Sequence, residues 1–419
     1  MDGSDRELGG SSVRELGRMM ARIAIELGSR TDPEAREVLT RSLGDLGVAL
    51  GRGWSGPSRP AAPGAPAAPG APAARAAQPQ DPGTPQPWGQ SPPVATFPMT
   101  LHGIREATPG PRWQALFEAT WPAYRAWYLR EGDQARPDLD TARSRLARHL
   151  PELVGTWETL VELSDGDETA ARMLTLWDLP RFLPGCSQAV VTGESPLLVR
   201  NYDYSPELIE QVVLSSAFTG RKVIGTSDCL WGLLDGMNED GLVVSLAFGG
   251  RPGSAPGFAI PLVVRYLLEV AGSVREARAA LDRVPVAMAY NLTMTDASGE
   301  VCTAVVAPGH APEYSSAAVA TNHRGRTPEH PDHARRFRSV ERQRHLERLL
   351  AGPVRPDDLV DAFLRAPLHS GEYAQGFGTL YTAAYRPAEG RVDYRWPGKS
   401  WTRTFDAPDA TTQVMLRQS

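Results

Sequence analysis

Cysteine is scarce in this chain, and its scarcity excludes several classes of protein. Three cysteines, Cys186, Cys229 and Cys302, occur among 419 residues. This number is too small, and odd, for a disulfide framework, and there is no Cys-x-x-Cys pair of the kind that builds a zinc ribbon. We therefore expect free thiols, with Cys229 and Cys302 buried in strands as structural residues.

Long apolar runs and an excess of one charge are also missing. The longest apolar runs, such as residues 258–264, fall far short of the roughly 20 residues that span a bilayer. The acidic, polar first residues lack the pattern of a secretory signal. With 44 basic against 49 acidic residues, the net charge of -5 disfavours nucleic acid and anionic membranes as partners. We expect a soluble, cytoplasmic protein.

Proline is abundant but unevenly spread, and it marks the domain organisation. Residues 52–98 hold 13 of the 37 prolines and predict a disordered linker that acts as a semi-stiff spacer. Residues 1–51 form a predicted helical appendage, whose two short amphipathic helices within residues 12–50 would dimerise or dock a protein partner. Residues 99–185 are predicted to be a mainly helical part, and residues 186–419 a core rich in strand hairpins.

Signals for strand pairs recur in the core. Hairpins are predicted over residues 189–199, 231–246, 291–306 and 379–395, and the last of these is expected to close the chain. Helices are predicted over residues 259–281, with a break near Gly272, and over residues 339–350 and 356–364. Hairpins with helices between them indicate an α+β fold of antiparallel sheets rather than alternating βαβ units.

The sharpest chemical signal is a cysteine at the start of one predicted strand. Gly185-Cys186-Ser187 begins that strand, and Arg200-Asn-Tyr-Asp203 ends the next, so a hairpin would bring Arg200 and Asp203 beside Cys186. A thiol with its ordinary pKa of about 8.5 needs a lowered pKa or a base to attack at neutral pH, and an arginine lowers it. These residues alone leave both interpretations open, and a lone cysteine in a strand is more often a small buried structural residue than a nucleophile.

Four motifs in this order resemble those of the N-terminal-nucleophile (Ntn) hydrolases. They are the two motifs around Cys186 and Asp203, then Asp235-Gly-Met-Asn-Glu-Asp-Gly-Leu242, then Ala320-Thr-Asn322-His. The branch that they resemble most is the acyl-CoA:6-aminopenicillanic acid acyltransferase (isopenicillin N acyltransferase) family. Bile salt hydrolases and penicillin V acylases are more distantly similar. The resemblance covers roughly residues 140–419.

The resemblance implies a four-layer αββα sandwich, made as an inactive precursor that cuts itself before its nucleophile. The bond cut would be Gly185–Cys186, with residues 99–185 as the propeptide-like small chain and residues 186–419 as the catalytic core. The two cleaved chains would remain associated. Cys186 would then supply both the thiol and, through its freed α-amino group of pKa about 7.7–8.0, the base.

Further roles follow from the resemblance, position by position. Asp203 matches the aspartate that holds the free amine, Arg200 the arginine of the same motif, and Asn322 the asparagine of the oxyanion hole. A further active-site or substrate arginine is assigned to Arg336 in preference to Arg342. The second asparagine of the bile salt hydrolases is absent from residues 245–248, which favours the acyltransferase branch and requires another second oxyanion donor.

The function implied is acyl transfer or amide hydrolysis through a Cys186 thioester. The donor would be a small linear amide or thioester and the acceptor an amine or water; acyl-CoA is a candidate substrate. No cofactor or metal is expected, because the spacing of His323, His330 and His333 is irregular and Pro331 disfavours a shared helix. The alternative is a catalytically silent Ntn-like scaffold that docks a partner through residues 12–50.

Overall fold

The computed structural model describes residues 96–418 apart from residues 183, 252, 326 and 374–376. The predicted helical appendage and almost all of the predicted linker therefore lie outside the described residues. Within the described part, no helix combines the length and the apolar composition that a membrane crossing needs.

Helices and strands alternate in blocks along the described residues. The helices are α1 (Pro111–Tyr128), α2 (Leu139–His149), α3 (Val154–Leu163), α4 (Glu168–Leu174), α5 (Ile260–Val270), α6 (Val274–Leu281), α7 (Pro331–Arg336), α8 (Ser339–Leu350) and α9 (Pro356–Phe363). The strands are β1 (Thr96–Arg105), β2 (Gly185–Val191), β3 (Leu197–Tyr204), β4 (Val212–Ser216), β5 (Val223–Asp228), β6 (Gly232–Asn238), β7 (Val243–Phe248), β8 (Tyr290–Thr295), β9 (Val301–Val306), β10 (Glu313–Ser315), β11 (Val319–Ala320), β12 (Gly371–Glu372), β13 (Phe377–Arg386), β14 (Arg391–Trp396), β15 (Lys399–Thr404) and β16 (Ala410–Arg417).

The four predicted hairpins are confirmed as the antiparallel pairs β2–β3, β6–β7, β8–β9 and β13–β14. The break predicted near Gly272 separates α5 from α6, and the side chain of Ser273 caps α6 by accepting from the Glu276 N–H. The prediction that β13–β14 closes the chain is wrong, because β15 extends that sheet and β16 pairs with β1.

Two sheets stack face to face between layers of helices. The larger sheet has the order β10-β9-β8-β7-β6-β5-β4-β1-β16, and the smaller has β11-β2-β3-β13-β14-β15 with β12 beside β13. Strands β2 and β3 pack against β7 and β8 across the interface. Helices α5 and α6 cover the larger sheet, while α8 and α9 cover the smaller one. The predicted αββα sandwich is confirmed.

The segment before Cys186 is part of the core rather than a purely helical addition. Strand β1 begins at Thr96, within the predicted linker, and lies between β4 and β16, parallel to β4 and antiparallel to β16. In α1, Trp113 Nε1 donates to the carbonyl of Leu230 at 3.0 Å. The chain therefore contributes strands to the larger sheet from both sides of Gly185–Cys186.

Close approach of β5 and β6 depends on a glycine. Gly225 lies opposite Gly236 in the ladder, and a Cβ at Gly225 would lie 2.2 Å from the backbone oxygen of Asp235. No side chain fits in that space without separating the strands. Gly225 thus allows the strand pairing that places Asp235 in the interior.

Candidate active site

Cys186 lies at the start of β2 and is fully buried between the two sheets. Gly185 pairs with Asp203 in the β2–β3 ladder, as the predicted hairpin requires. The Cys186 backbone N–H donates to Asn322 Oδ1 at 2.9 Å, and Arg200 Nη2 donates to the Cys186 Sγ at 3.1 Å. The structure therefore brings all five of these sequence-predicted residues together.

Arg342, on α8, joins the remaining polar groups of the site. Its Nη1 donates to Asp203 Oδ2 at 2.7 Å and to Ser187 Oγ at 2.8 Å, and its Nη2 donates to Asn322 Oδ1 at 2.8 Å. Thr379 Oγ1 donates to the other carboxylate oxygen of Asp203 at 2.7 Å. Both members of the Arg342–Asp203 ion pair are buried, so water screens their attraction weakly. Asp203 is held at both oxygens.

Arg336, the arginine preferred from the sequence, is not in this cluster. Its side chain is exposed on the short helix α7, and Arg338, in a left-handed conformation, separates that helix from α8. The buried face of α8 consists of Ser339, Arg342 and Leu346, at the spacing of three and four that one helix face requires. The assignment is corrected to Arg342, which this spacing could have identified.

A second buried network fixes Arg200 against the thiol. Arg200 Nη1 donates to Asp235 Oδ2 at 2.6 Å, and both side chains are completely buried. Asp235 also accepts from the Tyr381 hydroxyl at 2.6 Å, from Thr226 Oγ1 at 3.0 Å and from the Tyr385 hydroxyl. Three hydroxyl donors thus hold the carboxylate of Asp235 in place, and this carboxylate in turn holds the guanidinium of Arg200 in one position beside the thiol.

None of Asp235, Tyr381 and Tyr385 is predicted from the sequence as a site residue, although signals for them exist. Asp235 interrupts the apolar run of β6, and a buried carboxylate requires partners. Tyr381 and Tyr385 are four residues apart on β13, so they share one face. Asn238, from the same motif as Asp235, is structural: its Nδ2 donates to two carbonyls near the end of α5 at 2.8 and 2.6 Å.

The environment of Cys186 raises rather than lowers the pKa of its thiol. Burial raises this pKa to about 11, and although the guanidinium of Arg200 lowers it, as expected from the sequence, that effect does not overcome burial. Asp203 raises the pKa as well, and Arg342 lowers it. The thiol of the uncut chain is therefore protonated at neutral pH, and its attack on a carbonyl requires a base.

Asn322 presents its amide oxygen to Cys186 and Arg342, and its amide nitrogen points elsewhere. The Nδ2 donates to the backbone oxygen of Phe248 at 3.1 Å. An amide nitrogen carries two hydrogens, and the second has no acceptor among the described residues, so it can serve an oxyanion. Gly250 packs against this residue with φ +83°, where a Cβ would lie 2.8 Å from the Asn322 backbone oxygen. The glycine turn after β7 thus positions Asn322.

The other two cysteines and His333 lie apart from this cluster, whereas His323 directly follows Asn322 and is buried. Cys229 and Cys302 are buried, as predicted, and neither forms a disulfide. Cys302 lies in β9, but Cys229 lies in the turn after β5 rather than in a strand. In the part of the chain that the structure describes, no group of three or more His, Cys, Asp or Glu side chains could hold a metal ion. His333 lies between the rings of Phe248 and Phe337, with centroid distances of 4.8 and 4.3 Å.

Comparison with known proteins gives one family. Residues 190–401 match the family model described as acyl-coenzyme A:6-aminopenicillanic acid acyl-transferase. No curated protein matches the chain.

Solved structures similar to the chain include a mutant conjugated bile acid hydrolase from Clostridium perfringens, with 12% identity over 54% of this chain and 96% of that chain and a TM-score of 0.37. Penicillin V acylase from Agrobacterium tumefaciens is 13% identical over 54% of this chain and 90% of that chain, with a TM-score of 0.36. The Caenorhabditis elegans ortholog of N-acylethanolamine-hydrolyzing acid amidase is 16% identical over 48% of this chain and 93% of that chain, with a TM-score of 0.37.

Proposed function

Because the chain belongs to the acyl-coenzyme A:6-aminopenicillanic acid acyl-transferase family, we propose that it is a cysteine acyltransferase or amidohydrolase that activates itself by cutting the Gly185–Cys186 bond. The observation that carries this proposal is the pair of contacts on Cys186, with Arg200 at the thiol and Asn322 at the backbone N–H. Cys186 itself lies four residues before the matched range begins at residue 190, so its role rests on this geometry.

Self-cleavage begins when the Cys186 thiol loses its proton to water, which is rare at neutral pH because its pKa is about 11, and the thiolate attacks the carbonyl carbon of Gly185. The C–N bond between the two residues breaks, the acyl group moves to sulfur as a thioester, and the nitrogen takes up a proton from water and becomes a free amine. Water then hydrolyses the thioester to the Gly185 carboxylate and restores the thiol. Gly185 carries no side chain to block the attack, and Asn322 Oδ1 already holds the N–H of the bond to be cut.

Cleavage supplies the base that the uncut chain lacks. The thiol pKa of about 11 leaves almost no thiolate at neutral pH, whereas a free α-amine has an ordinary pKa of about 7.7–8.0. Because Gly185 lies opposite Asp203 in the ladder, the new amine forms beside the carboxylate that Arg342 and Thr379 hold. Asp203 then orients this amine toward the thiol of the same residue.

Turnover uses the same groups. The amine accepts the thiol proton as Sγ attacks the carbonyl of an amide or thioester donor, and it returns that proton to the leaving group. The second Nδ2 hydrogen of Asn322 stabilises the oxyanion, a contribution of about 2.7–4 kcal/mol for such donors. The Cys186 thioester then reacts with an amine in transfer or with water in hydrolysis. We take acyl-CoA as the donor class, following the name of the family.

The test compares wild type with Cys186→Ala and with Cys302→Ala, a second buried cysteine outside the cluster. Chain integrity is read by mass, and turnover by release of free coenzyme A or of amine from simple amides. We expect Cys186→Ala to be uncut and inactive while Cys302→Ala behaves as wild type. Turnover by Cys186→Ala would refute the proposal, and so would a wild-type chain that is neither cut nor active.

A further inference from the structure

The segment that carries Asn322 has little regular structure to hold it. Asn322 follows β11, a strand of two residues, and belongs to no helix or strand itself. An oxyanion donor acts only when it lies roughly 2.7–3.1 Å from the position that the oxyanion will occupy. The side chain of Asn322 is held by contacts with Cys186, Arg342 and Phe248. Its backbone requires tethers other than a β-ladder.

A second buried asparagine, Asn291 on β8, supplies such tethers. Its Nδ2 donates to the carbonyl oxygen of Thr321 at 2.8 Å and to that of His323 at 3.0 Å. These are the residues directly before and after Asn322, so one amide group holds the backbone on both sides of the oxyanion donor. Only the nitrogen end of an amide can donate to two carbonyls, which fixes the orientation of the Asn291 side chain.

Asn291 is also joined to the strand of the nucleophile. Gln188, two residues after Cys186 on β2, donates from Nε2 to the backbone oxygen of Asn291 at 3.0 Å. Residues two apart on a strand lie on one face, so Gln188 and Cys186 both point between the sheets. A continuous path therefore runs from β2 through β8 to the segment of Asn322. The Cys186 N–H, which donates to Asn322 Oδ1, closes that path.

The amide oxygens of Asn291 and Gln188 take no part in this path. Both are buried and receive no hydrogen bond from the residues that the structure describes. A buried acceptor without a donor is destabilising, so packing alone does not account for these two amides. Their nitrogens, which hold the segment of Asn322 and the backbone of β8, do account for them.

We propose that Asn291 is a positioning residue that holds Asn322 in place to stabilise the oxyanion, with Gln188 as its support on β2. In the proposed turnover, the second Nδ2 hydrogen of Asn322 reaches the oxyanion only while the backbone of Asn322 keeps its place. Because full negative charge on that oxygen develops in the transition state, loss of this hold lowers kcat more than it changes KM. The inference rests on the proposed function and adds the residue that aligns its oxyanion donor.

The test is hydrolysis of 4-nitrophenyl acetate, a small activated acyl donor, by the full chain, with the rate of Cys186→Ala subtracted. Asn291→Ser removes both carbonyl contacts. Asn238→Ser is the matched control, since Asn238 is also buried and its Nδ2 also donates to two carbonyls, but outside the cluster. Rates are expressed per cut chain, with the cut fraction read by intact mass. We expect kcat to fall at least about tenfold in Asn291→Ser, with KM changed less than about threefold, and the control to stay within about twofold of wild type.

A double-mutant comparison separates positioning from general support of the fold. If Asn291 acts through Asn322, adding Asn291→Ser to Asn322→Ala changes kcat by less than about twofold. A side chain that merely supports the fold gives the same factor in both backgrounds.

Asn291→Asp is a second variant that keeps the size of the side chain and so avoids a cavity. When protonated, its carboxyl group donates to one of the two carbonyls, whereas the carboxylate donates to neither. We expect its kcat to lie between those of Asn291→Ser and wild type, and the ratio of its kcat to that of wild type to rise as the pH is lowered.

Four results overturn the inference while the proposed function stands. They are wild-type kcat in Asn291→Ser, an equal loss in Asn238→Ser, the same factor with and without Asn322, and wild-type kcat in Asn291→Asp between about pH 6 and 8. A wild-type chain that is neither cut nor active refutes the proposed function and the inference with it.

Discussion

Removal of Arg342 tests whether the polar cluster around Cys186 is held together as the structure shows. In Arg342→Met the side chain keeps much of its volume but loses its hydrogen bonds to Asp203, Ser187 and Asn322. The Asp203 carboxylate then stays buried with Thr379 as its one remaining partner among the described residues. Breaking a buried ion pair from one side costs about 3–5 kcal/mol, and we expect a loss of stability in this range.

The measurement is urea unfolding followed by tryptophan fluorescence, with every variant made in a Cys186→Ala background so that the chain stays uncut. Arg336→Met is the matched control, because that arginine is exposed and should change the free energy of unfolding by less than about 0.5 kcal/mol. Asp203→Asn/Arg342→Met completes a double-mutant cycle. Since the double variant removes both charges, its loss in free energy of unfolding should be smaller than the summed losses of the two single variants by about 2 kcal/mol or more.

Two results would refute this reasoning. A loss below about 1 kcal/mol in Arg342→Met would mean that the ion pair with Asp203 is not the buried contact described. Additive effects in the cycle would mean that Arg342 and Asp203 act independently.

Three further predictions concern the nucleophile and the cleaved chains. Because burial raises the thiol pKa of Cys186 to about 11, the thiolate fraction and the rate of self-cleavage after refolding should rise about tenfold per pH unit between pH 6 and 8; a flat profile contradicts this. Arg200→Gln removes a group that lowers the thiol pKa of Cys186, so cleavage at pH 7 should slow about tenfold and its pH profile should move to higher pH. Tyr385→Phe keeps the Arg200–Asp235 pair and should change the rate less. Equal rates in Arg200→Gln and wild type would exclude an effect of Arg200 on the thiol. Since β1 lies between β4 and β16, the two fragments should co-elute in size-exclusion chromatography without denaturant, and separate elution would disprove the pairing.

Local patterns were enough to predict the part of the site that one hairpin builds. Residues 185–191 and 197–204 are adjacent strands joined by a short turn, so their register alone places Asp203 opposite Gly185 and Arg200 near Cys186. The same holds for the break between α5 and α6, because Gly272-Ser273 is a local helix signal. Where the site residues lie on strands that are neighbours in sequence, the sequence predicts both the strand pairing and the contacts between those residues.

Contacts between distant segments could not be predicted in this way. Strand β1 pairs with β4 and β16, which lie more than 100 residues further along the chain, and no local feature of Thr96–Arg105 identifies those partners. The network of Asp235 joins side chains from β3, β5, β6 and β13. The choice of Arg336 over Arg342 failed for a different reason, since the spacing of Ser339, Arg342 and Leu346 on one helix face was a local signal that the choice did not use.

The central claim, that Cys186 becomes an N-terminal nucleophile by cutting the bond before it, is tested most directly by intact mass under denaturing conditions. Wild type and Cys186→Ala are compared directly after purification. Scaling 45.4 kDa by 185 and 234 of 419 residues predicts fragments of roughly 20 and 25 kDa. The account predicts both fragments in wild type alone, the larger one beginning at Cys186. A single uncut wild-type chain, or the same fragments from Cys186→Ala, would contradict it.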